Sequence, residues 1–245
     1  MKRIAAFVLA LALLLPSGAM AADLLIAQAA NYTTIMQEEI IPAFEKATGL
    51  TVQATYASTG KLYGQIVSGA PFDMLLAADE SRPEKLHADG LAHTPFVYAT
   101  GQVVLWSLDK KLCSKGWKSA VQDPGVKKIS IANTETAPYG TSAMQALQAT
   151  GMWEAAQPRL VFGQSITQAF QFAFTGAADV GFIAYSSVFT EEGKKGCFVV
   201  VDEAPPVVQS GCILKNAPNP DAAARFAEFL VSPEVQAMKL KYGYK

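Results

Sequence analysis

Four short segments of this chain are built from small, hydroxyl and amide side chains, and each lies between a strand-like run and a helix-like run. They are Ala29-Ala30-Asn31-Tyr32-Thr33, Tyr56-Ala57-Ser58-Thr59-Gly60-Lys61, Thr136-Ala137-Pro138-Tyr139-Gly140-Thr141 and Gly163-Gln164-Ser165-Ile166-Thr167. Each pattern predicts a loop that opens a helix, where backbone N–H groups have no partner within the helix and the helix dipole is positive. Such a loop binds an anion without a charged side chain. Two such loops in each half of the chain predict a two-lobed receptor that closes on a small oxyanion.

Taken singly, each loop could also be an ordinary capped turn, in which Ser or Thr only stabilises the helix that follows. The Ser58-Thr59-Gly60-Lys61 segment is similar to the end of a phosphate-binding P-loop. However, Thr55 stands where that motif needs its first glycine, and Leu62 stands where it needs Ser or Thr. A nucleotide site is therefore not expected, and the repetition of the loops in both halves favours binding of a smaller anion.

The first 21 residues predict a secretory signal peptide. Lys2 and Arg3 precede an apolar stretch over residues 4–15, and Ala19-Met20-Ala21 is a small-x-small cleavage site. The apolar stretch is shorter than the ~20 residues that a membrane-spanning helix needs. We expect cleavage after Ala21 and an exported mature chain that begins at Ala22.

The charge of the predicted mature chain argues against polyanionic partners. Without Lys2 and Arg3 the chain keeps 18 basic and 21 acidic residues, a net charge of −3. Such a chain has no overall attraction to nucleic acid or to an anionic membrane. An anion site in it must be built from local dipoles and neutral donors.

Residues for hydrolysis or metal binding are not grouped in the sequence. Gly140-Thr141-Ser142-Ala143-Met144 lacks the second glycine of a nucleophile elbow, and His87 and His93 do not have the spacing of metal ligands. We therefore predict a protein that is not an enzyme, needs no cofactor and coordinates no metal cation directly.

Apolar periodicity predicts an α/β protein in which strands alternate with helices. The predicted strands cover residues 23–29, 50–56, 72–77, 128–132, 160–162, 180–184 and 198–201. The predicted helices cover residues 34–48, 61–68, 81–89, 140–150, 166–175, 221–230 and 232–242, with a kink or break at Pro42.

Two long extended segments, 102–107 and 207–214, interrupt this alternation. We interpret them as the two crossovers between lobes, which makes lobe 1 discontinuous (22–102 plus 207–245) and inserts lobe 2 (103–206) into it. Two parallel connections form a hinge, and hinge closure around a ligand is the usual use of that arrangement.

Three cysteines, Cys113, Cys197 and Cys212, are far apart in the sequence. In an oxidising compartment they allow at most one intramolecular disulfide. Cys113 and Cys197 both fall in predicted lobe 2, whereas Cys212 falls in a crossover segment. We therefore expect any disulfide to join Cys113 to Cys197 and Cys212 to be a buried thiol.

A series of short motifs runs through the mature chain in a specific order. It comprises Ala29-Ala30-Asn31, Ala43-Phe44-Glu45, Thr48-Gly49, Ser58-Thr59-Gly60-Lys61-Leu62, Gln65-Ile66, Gly69-Ala70-Pro71-Phe72-Asp73, Ala77-Ala78-Asp79, Ala137-Pro138-Tyr139-Gly140, Gly181-Phe182-Ile183-Ala184 and Tyr242-Gly243-Tyr244. With these motifs the chain resembles the periplasmic molybdate-binding proteins of molybdate ABC transporters, the ModA family. The resemblance implies a type II periplasmic-binding-protein fold, with two α/β lobes joined by a two-strand hinge.

The resemblance also implies which residues bind the ligand. Matching positions are Asn31, Thr59, Tyr139 and Ile166, the last through its backbone N–H, with Ser58 and Ala30 beside them. Some members place a ligand-contacting tyrosine where this chain has Ala184, one residue before Tyr185. This chain looks more like the branch with Asn in the first loop, so no direct role is assigned to Tyr185.

By this resemblance the protein is a periplasmic receptor for molybdate or tungstate that delivers the oxyanion to an inner-membrane ABC permease. We expect it to act as a monomer and to bind no nucleic acid. Two alternatives stay open at this point. One is a receptor for another tetrahedral oxyanion, sulfate or phosphate, and the other is a secreted hydrolase of phosphate esters.

Overall fold

The computed structural model describes residues 22–245, so the predicted signal peptide (1–21) lies outside the described residues. The described strands are β1 Leu24–Ala29, β2 Val52–Ala57, β3 Met74–Ala77, β4 Phe96–Gly101, β5 Val103–Ser107, β6 Ile129–Ala132, β7 Leu160–Gly163, β8 Val180–Ala184, β9 Cys197–Val200 and β10 Val207–Ile213. The α-helices are α1 Thr33–Ile35, α2 Ile41–Thr48, α3 Thr59–Val67, α4 Ser81–Ala88, α5 Lys110–Cys113, α6 Trp117–Gln122, α7 Pro138–Ala149, α8 Trp153–Ala156, α9 Ile166–Phe174, α10 Pro220–Leu230 and α11 Pro233–Lys241.

These strands form two separate five-stranded sheets, in the orders β2-β1-β3-β10-β4 and β7-β6-β8-β5-β9. In each sheet three strands run parallel, and the long strand beside them (β10 or β5) runs antiparallel to its two neighbours. Each sheet has its own buried apolar cluster, formed with the helices that cover it. The two-lobed α/β fold predicted from the sequence is confirmed.

The chain passes between the two sheets at two neighbouring places. It crosses first at Gln102, between β4 and β5, and returns along residues 201–206, between β9 and β10. The Gln102 amide Nε2 donates to the Val201 carbonyl at 3.1 Å, so the two crossings lie side by side. The crossings are shorter than the extended segments 102–107 and 207–214, because most of each segment is a strand within one sheet.

The helix around Pro42 is not broken, since helical segments follow one another without a gap from Thr33 to Thr48. A π-helical turn, Met36–Ile40, joins α1 to α2, and Pro42 lies in the first turn of α2. Proline has no N–H to donate and crowds the preceding turn. The irregularity in this helix is the π-helical turn that directly precedes the proline.

A disulfide joins Cys113, at the end of α5, to Cys197, at the start of β9. Cys212 is a buried free thiol on β10, and burial raises its pKa to about 12. The described part of the chain contains no helix that is both long and apolar enough to cross a membrane.

Lys239 on α11 is a buried lysine without an ion-pair partner among residues 22–245. Its Nζ atom donates to the backbone carbonyls of Tyr98 (2.5 Å) and Leu230 (2.7 Å) and thereby ties α11 to β4 and α10. Burial disfavours the charged form and lowers the pKa of Lys239 from 10.5 to about 8, so the amine loses its proton only above that pH.

This lowered pKa predicts how stability changes with pH. Between pH 8 and 10.5 the folded protein has lost the Lys239 proton that the unfolded chain still binds, so the free energy of unfolding rises with pH. The slope approaches about 1.4 kcal/mol per pH unit for one proton. Urea unfolding at pH 7.5 and at pH 9.5 should show a gain that is larger in the wild type than in Lys239→Met by ~1–2 kcal/mol.

The unfolding measurements stop at pH 9.5 because buried tyrosines, such as Tyr98, have raised pKa values in the folded protein. Above pH 10 the unfolded chain loses these tyrosine protons first, which destabilises the fold. Equal pH slopes in the wild type and in Lys239→Met would show that Lys239 is charged in the folded protein.

Candidate functional site

The four predicted loops meet at one place, because each follows the carboxyl end of a parallel strand. In one sheet β1 and β2 end in register, with Ala29 opposite Ala57, and in the other β6 and β7 end with Ala132 opposite Gly163. The two edges face each other across a small, tightly closed cavity. The carboxyl ends of parallel strands are where ligands bind in open α/β sheets.

All six residues named from the sequence line this cavity. Its walls are formed by Ala29, Ala30, Asn31, Ala57, Ser58, Thr59, Ala78, Ala137, Pro138, Tyr139 and Ile166. These wall residues include no charged side chain. The surroundings of a bound ion would therefore consist of backbone dipoles, hydroxyl groups and one amide.

Two hydroxyl groups of the cavity wall have no hydrogen-bond partner. The Ser58 Oγ and the Tyr139 OH are both buried and unpaired. Ser58 is the N-cap residue of α3, yet its side chain accepts no bond from that helix. This observation argues against the alternative of a merely capped turn. An unpaired buried hydroxyl costs about 1–3 kcal/mol, so the Ser58 hydroxyl is left ready to donate to a ligand. The Tyr139 OH lies near the Tyr244 OH and the Asn31 side chain, which both influence its pKa.

Helix N-termini supply further donors at the same place. The N-cap residues of α3 and α7 and of the 3₁₀ turn Ala30–Tyr32 make no side-chain cap bond. The N–H groups of the first turn of a helix have no intrahelical partner, and this end of the helix dipole is positive. In α3 the N–H of Thr59 is such a group, whereas that of Gly60 donates to the Thr136 carbonyl, and α7 begins with Pro138, which has no N–H, so that Tyr139 carries its first one. Ile166, the first residue of α9, brings an apolar side chain, so its contribution to an anion would be its backbone N–H.

Thr59 has a hydroxyl that is already fixed on one side. Its Oγ1 accepts from the backbone N–H of Ala78 at 3.0 Å. A hydroxyl group that accepts a hydrogen bond keeps its own hydrogen, so Thr59 can still donate to a ligand in the cavity.

Asn31 differs from the other wall residues, since the NH2 group of its side chain already has two acceptors within the protein. The Asn31 Nδ2 atom donates to Gln209 Oε1 and to the Tyr244 OH, at 3.0 Å each. The Tyr244 OH in turn donates to the Asn31 backbone carbonyl at 2.9 Å. Asn31 is thus tied to β10 and to the C-terminal end of the chain.

The ring of Tyr139 reaches from α7 to the crossing between the sheets. A Cβ atom placed on Gly101 would lie 1.9 Å from the Tyr139 OH, so glycine at this position is what allows the contact. Burial raises the pKa of Tyr139 well above its ordinary value of 10. The hydroxyl therefore stays protonated at neutral pH and acts as a donor.

Direct hydrogen bonds join the two halves around the cavity. The Gly60 N–H donates to the Thr136 carbonyl at 2.8 Å, and the Thr167 Oγ1 donates to the Ala30 carbonyl at 3.1 Å. A Cβ atom on Gly60 would lie 2.9 Å from the Thr136 Cα, so this close approach also needs glycine. The structure therefore holds the four loops in contact.

Three residues at this place were not identified from the sequence. Gln209 is a buried amide within strand β10, Tyr244 is next to the last residue, and Gly101 ends β4. A long polar side chain in the middle of a largely buried strand was the signal that could have indicated Gln209. Tyr185 is not part of the cavity wall, and its ring packs on Phe189 and Phe198.

A metal-ion centre is not apparent in the residues that the structure describes, where no three His, Cys, Asp or Glu side chains are grouped. His87 lies on α4, and His93 is exposed in the loop that follows.

Known proteins share both the sequence and the fold. Residues 24–245 match the model of the family described as bacterial extracellular solute-binding protein. The molybdate-binding protein ModA of Rhodobacter capsulatus is 40% identical over 244 residues, which cover 99% of this chain and 96% of that protein.

Solved structures give the same result. The periplasmic molybdate-binding protein of Azotobacter vinelandii superimposes with a TM-score of 0.85 at 32% identity, covering 91% of this chain and 98% of that one. The substrate-binding domain of a putative molybdenum ABC transporter from Clostridium difficile has a TM-score of 0.66 at 26% identity, with 91% and 97% covered. By sequence and by fold, this chain belongs to the ModA family of bacterial extracellular solute-binding proteins.

Proposed function

We propose that this protein binds molybdate or tungstate, as the intact tetrahedral dianion, in the cavity between the two sheets. The observation that carries the proposal is a buried, uncharged cavity with two unpaired hydroxyls, on Ser58 and Tyr139, and several helix N-termini around it. The names of its relatives, which are molybdate-binding proteins, support molybdate as the ligand.

The donor set fits a fully deprotonated ion. Burying an unpaired ion would cost tens of kcal/mol by an idealised Born estimate, and each hydrogen bond to a charged group contributes about 1.5–3 kcal/mol. Several donors must therefore converge, as the loops of the two sheets allow. The cavity wall has no carboxylate to accept a proton from the ligand. A protonated oxyanion, such as hydrogen phosphate, would bring an O–H without a strong acceptor.

In this proposal the ligand is bound by the hydroxyls of Ser58, Thr59 and Tyr139 and by backbone N–H groups at Ala30, Asn31 and Ile166. Lobe 1 consists of residues 22–102 plus 207–245 and lobe 2 of residues 103–206. Sheet membership supports this division, since β4 and β10 belong to one sheet and β5 and β9 to the other. The two lobes open and close about the paired crossings at 102 and 201–206.

We further propose that the protein acts in the periplasm, after removal of residues 1–21, as a monomer without enzymatic activity. It would pass the oxyanion to an inner-membrane ABC permease. The solute-binding family supports export, and the relative from Clostridium difficile, a substrate-binding domain of a putative molybdenum ABC transporter, supports an ABC transporter as the partner.

Isothermal titration calorimetry with molybdate, tungstate, sulfate and phosphate tests the ligand class. The proposal predicts saturable binding of molybdate and tungstate at one site, and much weaker binding of phosphate at pH 7. Sulfate binding without molybdate binding would contradict it and favour another oxyanion receptor. Turnover of a phosphate ester in a parallel assay would favour an enzyme.

Because the Ser58 hydroxyl is unpaired, Ser58→Ala is expected to affect stability without ligand and molybdate affinity differently. Ser58→Ala removes a buried group that has no partner in the ligand-free protein, so stability without ligand should stay equal or rise by up to about 1 kcal/mol. The same change removes a donor to the ion, so molybdate affinity should fall about 10- to 100-fold. Urea unfolding and calorimetry measure the two effects.

Ser232→Ala is the matched control. Ser232 is also an N-cap serine, but its Oγ accepts from the Val235 N–H of α11, far along the chain from the site residues. This variant should lose about 1 kcal/mol of stability and keep the wild-type affinity. A Ser58→Ala variant that behaved like Ser232→Ala would remove Ser58 from the binding site.

Asn31→Asp places a negative charge in the cavity wall. Two like charges ~4 Å apart repel by roughly 4 kcal/mol at an effective dielectric constant of 20, so molybdate affinity should fall about a thousandfold. Calorimetry on the folded variant, with its secondary structure checked by circular dichroism, measures the loss. A fall of less than about tenfold would show that Asn31 does not border the ligand.

A further inference from the structure

The orientation of the Asn31 amide is fixed by a chain of contacts that starts at a backbone carbonyl. Gln209 Nε2 donates to the Val207 carbonyl at 2.9 Å, and a carbonyl oxygen can only accept. The other end of the Gln209 amide, Oε1, must therefore face Asn31. Because Oε1 is an acceptor, Asn31 must present its Nδ2 to it, at 3.0 Å.

Tyr244 fixes the second hydrogen of the same Nδ2. The Tyr244 OH has one hydrogen, and two acceptors are within its reach, the Asn31 backbone carbonyl at 2.9 Å and the Ser186 Oγ at 3.0 Å. Toward Nδ2, at 3.0 Å, the Tyr244 oxygen therefore accepts. A primary amide has two N–H hydrogens. Both hydrogens of Asn31 are thus used within the protein, and the side chain has no further hydrogen for a ligand.

From this geometry we infer that Gln209 and Tyr244 are positioning residues of the oxyanion site. They act through Asn31, whose amide holds the 3₁₀ turn Ala30–Tyr32 so that its backbone N–H groups point at the ligand. This inference rests on the proposed function and refines it, since Asn31 then serves by position and by its backbone and not as a side-chain donor.

The surroundings of these residues support a positioning role. Gln209 and Tyr244 are buried, and they belong to parts of the chain far from Asn31, β10 and the C-terminal end. The C-terminal end is itself anchored, because Lys245 and Thr100 exchange two backbone hydrogen bonds (2.7 and 3.0 Å). The Ser186 Oγ, from the 3₁₀ turn after β8, also donates to the Asn31 carbonyl at 3.2 Å. The first loop is therefore held from both sheets.

The effect of Gln209→Met on molybdate affinity distinguishes whether Asn31 serves by its position or as a side-chain donor. Methionine keeps the length and volume of the buried side chain but accepts no hydrogen bond from the amide. If Gln209 positions Asn31, molybdate affinity should fall about tenfold. If the Asn31 side chain instead serves as a donor, the freed hydrogen becomes available to the ligand and affinity should stay equal or rise, which would overturn the inference.

A double-mutant cycle shows whether Gln209 acts through Asn31. In an Asn31→Ala background the amide that Gln209 holds is absent, so adding Gln209→Met should change the affinity by less than twofold. A full tenfold effect in that background would overturn the inference, because Gln209 would then act by another route.

If Gln209→Met does not fold, Tyr244→Phe tests the same positioning role. We expect affinity about tenfold weaker than in the wild type. Its matched control is Tyr242→Phe, which removes a hydroxyl bonded to Glu38 Oε2 at 2.9 Å on the protein surface and should keep affinity within twofold. Equal affinities of the two variants would contradict a positioning role for Tyr244.

A measurement without ligand keeps this inference distinct from the proposed function. By NMR, the Asn31 side-chain amide protons should exchange slowly with water in the ligand-free wild type and rapidly in Gln209→Met. Rapid exchange in the wild type would overturn the inference even if molybdate binds. Absence of molybdate binding to a wild type with protected amide protons would overturn the proposed function and leave the hydrogen-bonded arrangement intact.

Discussion

The proposed site depends on one electrostatic constraint, because the anion would be buried where no positive side chain compensates its charge. Neutral donors must then come from several directions at once, because each contributes only a few kcal/mol. The fold meets this constraint by aligning the carboxyl ends of two parallel strands in each sheet, so that the helices that follow them begin at one cavity. The unpaired hydroxyls of Ser58 and Tyr139 are the consequence in the described residues.

Close packing of backbone makes this convergence possible. Glycine at positions 60 and 101 lets the two halves approach within distances that a Cβ atom would prevent. Hydrogen bonds from Gln209 and Tyr244 hold the first loop against the strand next to the crossing and against the chain end. Elements that are distant in sequence, β1, β10 and the C-terminus, are therefore parts of one site.

Much of this arrangement could be predicted from the sequence. Alternating strands and helices predicted two α/β sheets, and the loops after four of the strands predicted the residues that line the cavity, Ala30, Asn31, Ser58, Thr59, Tyr139 and Ile166. The roles of single atoms could not be predicted. Which hydrogens of Asn31 are free depends on contacts with residues about 180 and 210 positions away, and no local pattern encodes them. Strand β4 was missed because the apolar run of β5 follows it after one residue.

The most direct test of the account is anomalous scattering from crystals grown with molybdate, with data collected on both sides of the molybdenum K edge. The account predicts one strong anomalous peak in the cavity between the sheets, with oxygen atoms of the ion at hydrogen-bond distance, ~2.7–3.1 Å, from Ser58 Oγ and from the first backbone N–H groups of α3 and α9. A peak outside this cavity, or a cavity without a peak at saturating molybdate, would contradict it.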